Sequence, residues 1–189
     1  MSETKNMNRI HILVECAVMV AVGFVLMSLK LFELPQGGSV TFASMLPFII
    51  IAFRHGTKWG LLAGFACSLL QMLTGFWAPP VGTALNYALV VILDYVLPFT
   101  LLGLAALFAK PFPHRALGIA GGTVIVCIIR FLCHFGSGAL IWSYYAPEGT
   151  GALIYSVGYN SFMLPESIIT VVVALLLYKM MPKLFGTAE

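Results

Sequence analysis

The sequence predicts an all-α integral membrane protein: a single domain over residues 1–189, built as a bundle of six transmembrane helices with both termini cytoplasmic. Three observations carry this. First, 60% of the 189 residues are hydrophobic and only 9% are charged, against roughly 25% charged in a soluble domain. Polar groups are too few to cover the surface, so lipid must be the main solvent. Second, the apolar residues fall into six runs separated by short polar loops. Third, Lys5, Arg9, Arg54, Lys58, Lys110, Arg115, Lys179 and Lys183 all fall on the side of the termini, while the opposite loops hold only Lys30, at a span end. Basic residues concentrate in cytoplasmic loops, and this sets the orientation. The net charge of +3 is spread over those loops and does not point to nucleic acid. Cys16, Cys67, Cys127 and Cys133 lie in apolar runs without CxxC spacing, so they read as small hydrophobes and imply no disulfide framework and no metal site.

Met1 to Asn8 is polar and reads as a short tail or interfacial turn. Span 1 runs from Arg9 to Lys30; it is too long for a signal-peptide core, so it is kept as a mature span. Ala17 and Ala21, one turn apart, let another helix approach closely. Lys30 to Ser39 reads as a loop, with turn residues dense in Leu34-Pro-Gln-Gly-Gly38. Span 2, Val40 to Phe53, is short for a crossing that needs about 20 residues, so its outer part is expected to be irregular and buried in protein. Arg54 to Lys58 is a basic turn. Span 3, Trp59 to Leu73, follows, with Gly56, Gly60 and Gly64 as a ridge of small residues. Thr74 to Gly82 is a loop with Trp77 at the water interface. Span 4, Thr83 to Phe108, holds Asp94, Tyr95 and Pro98; the proline removes the hydrogen bond to the Asp94 carbonyl. After the basic loop Lys110 to Arg115, span 5 runs from Leu117 to Trp142. Ser143 to Gly158 reads as an outer segment, span 6 as Tyr159 to Met181, and Pro182 to Glu189 as a short tail.

Span 5 is the most informative stretch. Arg130, His134, Gly138 and Trp142 recur every four residues, a spacing that forms a slowly drifting stripe on one side of a helix. A charge at bilayer depth costs at least about 2.5 kcal/mol, so such residues face a protein interior or a cavity. The stripe reads either as one wall of a pocket for a flat polar molecule or as a packing face with a satisfied histidine. Depth favours a pocket. His134 lies about 25 Å up span 5 at about 1.5 Å per residue, in the outer half of a roughly 30 Å core. Asp94 lies somewhat above the middle of span 4, Asn160 at the outer end of span 6 and Tyr155 just outside it. Trp142, His134 and the tyrosines offer flat faces for stacking and for holding a cation. Asp94 could balance a positive ligand, or could instead pair with Arg130 and clamp spans 4 and 5. Asn160 offers both a donor and an acceptor to a heterocycle edge. Glu166 is a further possible partner. GxSxG, HExxH and P-loop motifs are absent.

The run Arg130-Phe-Leu-Cys-His134-Phe-Gly-Ser-Gly138-Ala-Leu-Ile-Trp142-Ser, followed by Tyr155-Ser-Val-Gly-Tyr-Asn160, resembles the thiamine-specific substrate-binding subunits of energy-coupling-factor transporters. So do Asp94-Tyr95 and the opening Val14-Glu-Cys-Ala17-Val-Met-Val-Ala21. The resemblance covers nearly the whole chain. It implies a multi-pass plasma-membrane protein that binds thiamine from outside and docks on a transmembrane coupling protein driven by two ATPase subunits. It implies ligand contacts at Asp94, Tyr95, His134, Gly138, Trp142, Tyr155 and Asn160, a basic family position at Arg130, and contact with the coupling protein at Ala17 and Ala21. It implies no cofactor beyond the ligand itself. Three departures are visible. Some relatives carry Glu where this chain has Asp94. Some carry an aromatic in the loop after span 1, which here reads Leu34 to Ser39. A tryptophan of their third span aligns with Cys67.

Three classes of function remain distinguishable by experiment. A binding subunit, for thiamine or another vitamin, binds tightly without ions or ATP. A self-sufficient ion-coupled transporter would use Arg130, Glu166 and Asp94 as a relay; the small size and lack of an inverted repeat count against it. An intramembrane enzyme needs a nucleophile that the sequence does not place.

Overall fold

The computed structural model describes residues 2–35 and 38–186, with side chains described from Arg9 onward. Six longer helices are present among the described residues: α1 (Ser2–Ser28), α2 (Leu46–His55), α3 (Thr57–Gly75), α4 (Ala84–Phe108), α5 (Arg115–Leu140) and α6 (Ala152–Met180). Among the described residues, four stretches are long and apolar enough to cross a membrane: Arg9–Ser28 of α1, and α4, α5 and α6. At 10 residues, α2 is only about 15 Å long. All its residues from Leu46 to Phe53 are buried, as expected of a helix that is apolar all round. It forms the centre of the bundle, with Phe48 packed edge-on against Phe99 of α4 at 6.4 Å.

Small residues set how closely the helices pack. A Cβ at Gly60 would stand 2.8 Å from the Cα of Gly103, and one at Gly64 would stand 2.2 Å from the Phe99 carbonyl oxygen. Both α3 glycines therefore bring α3 and α4 into backbone contact, as a small-residue ridge does. Gly56 plays no part in that ridge: nothing lies within 4 Å of its Cβ position, and its φ of 91° makes the α2–α3 turn.

Four expectations are corrected. The loop after span 1 contains an antiparallel hairpin, β1 (Lys30–Glu33) and β2 (Ser39–Thr41), with an irregularity between Lys30 and Phe32. Its β-branched and aromatic residues suit strands; the expected turn at Leu34 to Gly38 includes Gln36 and Gly37, which lie outside the described residues. The N-terminal tail is already helical from Ser2, although Met1 lies outside the described residues. The outer segment Ser143 to Gly158 is not all loop, because α6 begins at Ala152 instead of Tyr159. Leu153, Ile154 and Val157 face outward while Ser156 and Asn160 are buried, the pattern of a helix with one inward face. The helix is interrupted by a turn at Ser161–Phe162, where Pro165 cannot donate to the Ser161 carbonyl. Finally, α5 ends at Leu140, so Trp142 belongs to a separate turn of tight helix, Trp142–Tyr145. Pro182–Phe185 forms another such turn, which buries Phe185 against Phe53 and Tyr178; residues 187–189 lie outside the described residues.

Two local distortions position the site. Residues Val91–Val96 of α4 form a π-helical segment in which the Leu97 N–H reaches back to the Ile92 carbonyl. Pro98 follows at once and has no N–H, which favours this wider register. Such bulges recur at functional sites because the added residue re-aims side chains; here they are Asp94 and Tyr95. The second distortion is at Ala43, with φ 56°, a left-handed conformation that costs a non-glycine residue roughly 1–2 kcal/mol.

Candidate functional site

A cavity of about 430 Å³ opens among the hairpin, α1, α3, α4, α5 and α6. The eight residues singled out in the sequence (Asp94, Tyr95, Arg130, His134, Gly138, Trp142, Tyr155 and Asn160) all line it. They arrive by different routes. Arg130, His134 and Gly138 share one face of α5 at steps of four residues. Trp142 joins them from the turn beyond the helix. The π segment supplies Asp94 and Tyr95, and the first half of α6 supplies Tyr155 and Asn160.

Asp94 is the hub. Its Oδ2 accepts hydrogen bonds from Ser137 Oγ at 2.6 Å and from Trp142 Nε1 at 2.8 Å, and its Oδ1 lies 3.2 Å from His134 Nδ1. An ionised carboxylate only accepts, so the His134 proton sits on Nδ1 and its Nε2 is enclosed without a partner among the described residues. The Asp94 side chain is only 15% exposed. Three donors fix it on the wall with its negative charge beside the indole of Trp142, whose ring stacks on Tyr145 at 6.4 Å. The arrangement suits a flat cation: charge from Asp94, with aromatic faces beside it.

Gly138 acts through its missing side chain. A Cβ there would come within 2.2 Å of Ser156 Oγ and 3.0 Å of Asn160 Nδ2. That close approach lets Ser156 Oγ donate to the Phe135 carbonyl at 2.7 Å and Asn160 Nδ2 donate to the Ser156 and His134 carbonyls at 3.0 and 3.3 Å. The Asn160 amide nitrogen thus holds α6 to α5, and its carbonyl oxygen takes no part in those bonds. Tyr155 stacks on Tyr159 at 6.0 Å.

Tyr95 faces a loop. Its hydroxyl accepts from the Trp77 N–H at 2.8 Å and donates to the Gly75 carbonyl at 3.1 Å, and its ring stacks on Phe76 at 5.3 Å. It therefore holds the start of the α3–α4 loop, and with it Trp77, against the cavity. Cys67 is fully buried and contacts Met27 through sulfur at 3.8 Å.

Arg130 does not pair with Asp94, so the alternative of an α4–α5 clamp is corrected. Its Nη1 donates to Glu166 Oε2 at 2.8 Å, and its guanidinium lies over the Phe99 ring, 4.8 Å from the centroid. Glu166 is completely buried, and its other oxygen accepts from Thr41 Oγ1 at 2.6 Å. Glu166, Thr41, Ser44, Gln71 and Tyr159 also line the cavity. Sequence reasoning weighed Glu166 only as a partner and did not find the others. Ser137 was missed as well; one turn below Trp142, it carried no signal of its own.

Ala17 and Ala21 are exposed on the outer face of α1. At the opposite end from the hairpin, Arg54 makes two hydrogen bonds of 2.9 Å to Glu15, and His55 also contacts that carboxylate. Among the described residues, no group of His, Cys, Asp and Glu could hold a metal ion.

Helices of membrane-spanning length around a polar, aromatic-lined cavity define a membrane protein that binds a small molecule. The comparisons give that class a family. The family model described as thiamine transporter protein (Thia_YuaJ) matches residues 13–186. The chain is 32% identical over 196 residues to the thiamine transporter ThiT of Bacillus subtilis (strain 168), covering 97% of each. It is 32% identical over 152 residues to the thiamine transporter ThiT of Lacticaseibacillus paracasei, covering 75% of this chain and 74% of that one. The solved structure of ThiT from Listeria monocytogenes superimposes with a TM-score of 0.76 at 28% identity, covering 94% of this chain and 98% of that one. A structure of the S component of a bacterial ECF transporter shares the fold, with a TM-score of 0.65 at 18% identity over 95% of this chain and 99% of that one. The chain belongs to the thiamine transporter protein family.

Proposed function

We propose that this protein is the thiamine-binding subunit of an energy-coupling-factor transporter, capturing thiamine at the outer face and delivering it through an ATP-driven coupling module. The observation that carries the reading is the Asp94 carboxylate, held by Ser137, Trp142 and His134 on the wall of an aromatic-lined cavity. The thiazolium of thiamine is a flat cation suited to Asp94 and the Trp142 ring, and the amino group of its aminopyrimidine can donate to the Asn160 carbonyl oxygen. Tyr95 and Tyr155 flank this position, Gly138 lets α6 close on α5 beside it, and Arg130 forms part of its floor. Family membership and the names of the relatives support the choice of ligand.

In this reading all six helices lie within the bilayer, α2 being surrounded by protein, and both termini are cytoplasmic. The exposed Ala17–Ala21 face of α1 meets the transmembrane coupling protein, which two ATPase subunits drive. The ion-coupled alternative loses support because Glu166 is held by both Arg130 and Thr41, leaving neither member of the Arg130–Glu166 pair as a free relay. Liposomes carrying the purified chain alone, and liposomes carrying it with a coupling protein and both ATPases, separate the two readings. Thiamine uptake only in the second set, and only with ATP, is the expected result; uptake by the chain alone would overturn it.

A further inference from the structure

Thr41, Ser44, Glu166 and Arg130 form one connected group at the cavity floor, drawn from four parts of the chain. Thr41 ends β2, Ser44 lies in the turn before α2, Arg130 is on α5 and Glu166 is on α6. Thr41 Oγ1 lies 2.6 Å from Glu166 Oε1 and 2.6 Å from Ser44 Oγ. A threonine hydroxyl has one proton. The ionised Glu166, already accepting from Arg130, can only accept, so Thr41 donates to it and Ser44 donates to Thr41. The chain of bonds has one direction, and its terminus is the Glu166 carboxylate.

That chain brackets a strained residue. Ala43 sits between Thr41 and Ser44 with φ 56°, the only positive φ of a non-glycine among the described residues. Strain of this kind persists only where the surroundings over-determine the backbone. Here they do: Thr41 is tied to α6, Ser44 to Thr41, and the Ala43 carbonyl accepts from the Leu46 N–H at 3.0 Å at the start of α2. Ala43 is 3% exposed and Glu166 is fully buried, so water can compete for these bonds only from the cavity.

We propose that Glu166 is a positioning residue. Through Thr41 it registers the β1–β2 hairpin on the cavity floor, and so sets the position of the wall formed by Lys30, Ser39, Thr41 and Ser44. The registration is a property of the protein without ligand; its consequence for affinity rests on the reading of the cavity as a thiamine site.

The test uses the full chain in detergent, with Thr41→Val, Thr41→Ser, Glu166→Gln and Ala43→Gly. Hydrogen exchange of residues 39–46 is followed without ligand, and thiamine affinity is measured by calorimetry. Thr41→Val removes the donor with little change of shape and leaves the Arg130–Glu166 pair in place, so it keeps the test valid if Glu166→Gln fails to fold. Expected are exchange of residues 39–46 about tenfold faster in Thr41→Val, as loss of a hydrogen bond to a charged group implies, unchanged exchange in α5, and recovery in Thr41→Ser. Thiamine affinity should fall in the same variants that loosen the hairpin, while Ala43→Gly, which relieves strain and keeps the bonds, should leave exchange slow. Unchanged exchange in Thr41→Val would overturn the registration, and so would equal acceleration throughout α5. Faster exchange with undiminished affinity would overturn the positioning role. Failure of the unsubstituted protein to bind thiamine would sink the ligand assignment instead, and the ligand-free exchange would still decide the registration.

Discussion

Replacing Asp94 by Asn isolates the charge at the centre of the site. Two donors, Ser137 Oγ and Trp142 Nε1, converge on Oδ2, and one ring nitrogen, His134 Nδ1, faces Oδ1. An asparagine can keep its carbonyl oxygen in the Oδ2 position, where both donors remain satisfied. Its NH2 then faces His134, which can move its proton to Nε2 and accept at Nδ1. The hydrogen-bond frame survives and the negative charge does not. What is lost is the charge-assisted part of the interaction with a cationic ligand, about 1.5–3 kcal/mol, or roughly a 10- to 150-fold weaker affinity for thiamine. Calorimetry of the purified protein in detergent reads this directly, and the unfolding temperature of the variant, expected to stay close to that of the parent, confirms the frame. Asp94→Ala removes the acceptor from three donors at once and should both unfold earlier and bind more weakly than Asp94→Asn. If Asp94→Asn bound thiamine as tightly as the parent while folded, the argument that this carboxylate balances the ligand's charge would fail.

Three further outcomes follow from the geometry. Gly138→Ala sets a methyl 2.2 Å from Ser156 Oγ, so α5 and α6 must separate; a loss of about 1–3 kcal/mol of stability, read by thermal unfolding, is expected along with weaker thiamine binding. Tyr95→Phe leaves the Trp77 N–H and the Gly75 carbonyl without the hydroxyl they share; the α3–α4 loop should be cleaved faster by protease while α4 stays intact. Glu15→Gln breaks a partly exposed pair with Arg54 far from the cavity. Such pairs contribute at most about 1 kcal/mol, so thiamine affinity should be unchanged and the unfolding temperature nearly so.

The sequence disclosed depth better than direction. Counting residues from span ends placed Asp94, His134, Tyr155 and Asn160 in one slab of the bilayer, and the same counting placed Arg130 on the His134 stripe. It could not say which way each side chain turns about its helix axis. A pair of Arg130 with Asp94 was therefore open, with Glu166 only a further possible partner, and the packing of α6 decides it by bringing Glu166 within 2.8 Å of Arg130. Pro98 was visible as a break in α4, and its missing N–H favours the π register, but the proline alone does not say that the wider turn carries Asp94 inward. The hairpin was obscured because Leu34 to Gly38 is dense in turn residues and its two strands are only four and three residues long. The early start of α6 was hidden by the glycines and tyrosines around it, which read as loop until Ser156 and Asn160 are seen facing α5 through the gap at Gly138.

The most direct test of the central claim is calorimetric titration of the purified chain with thiamine, in detergent and without coupling protein, ions or ATP, together with quenching of its tryptophan fluorescence. Saturable binding of one thiamine per chain, with quenching that Trp142→Phe reduces, is the predicted result. A folded protein that took up no thiamine in this titration would contradict it.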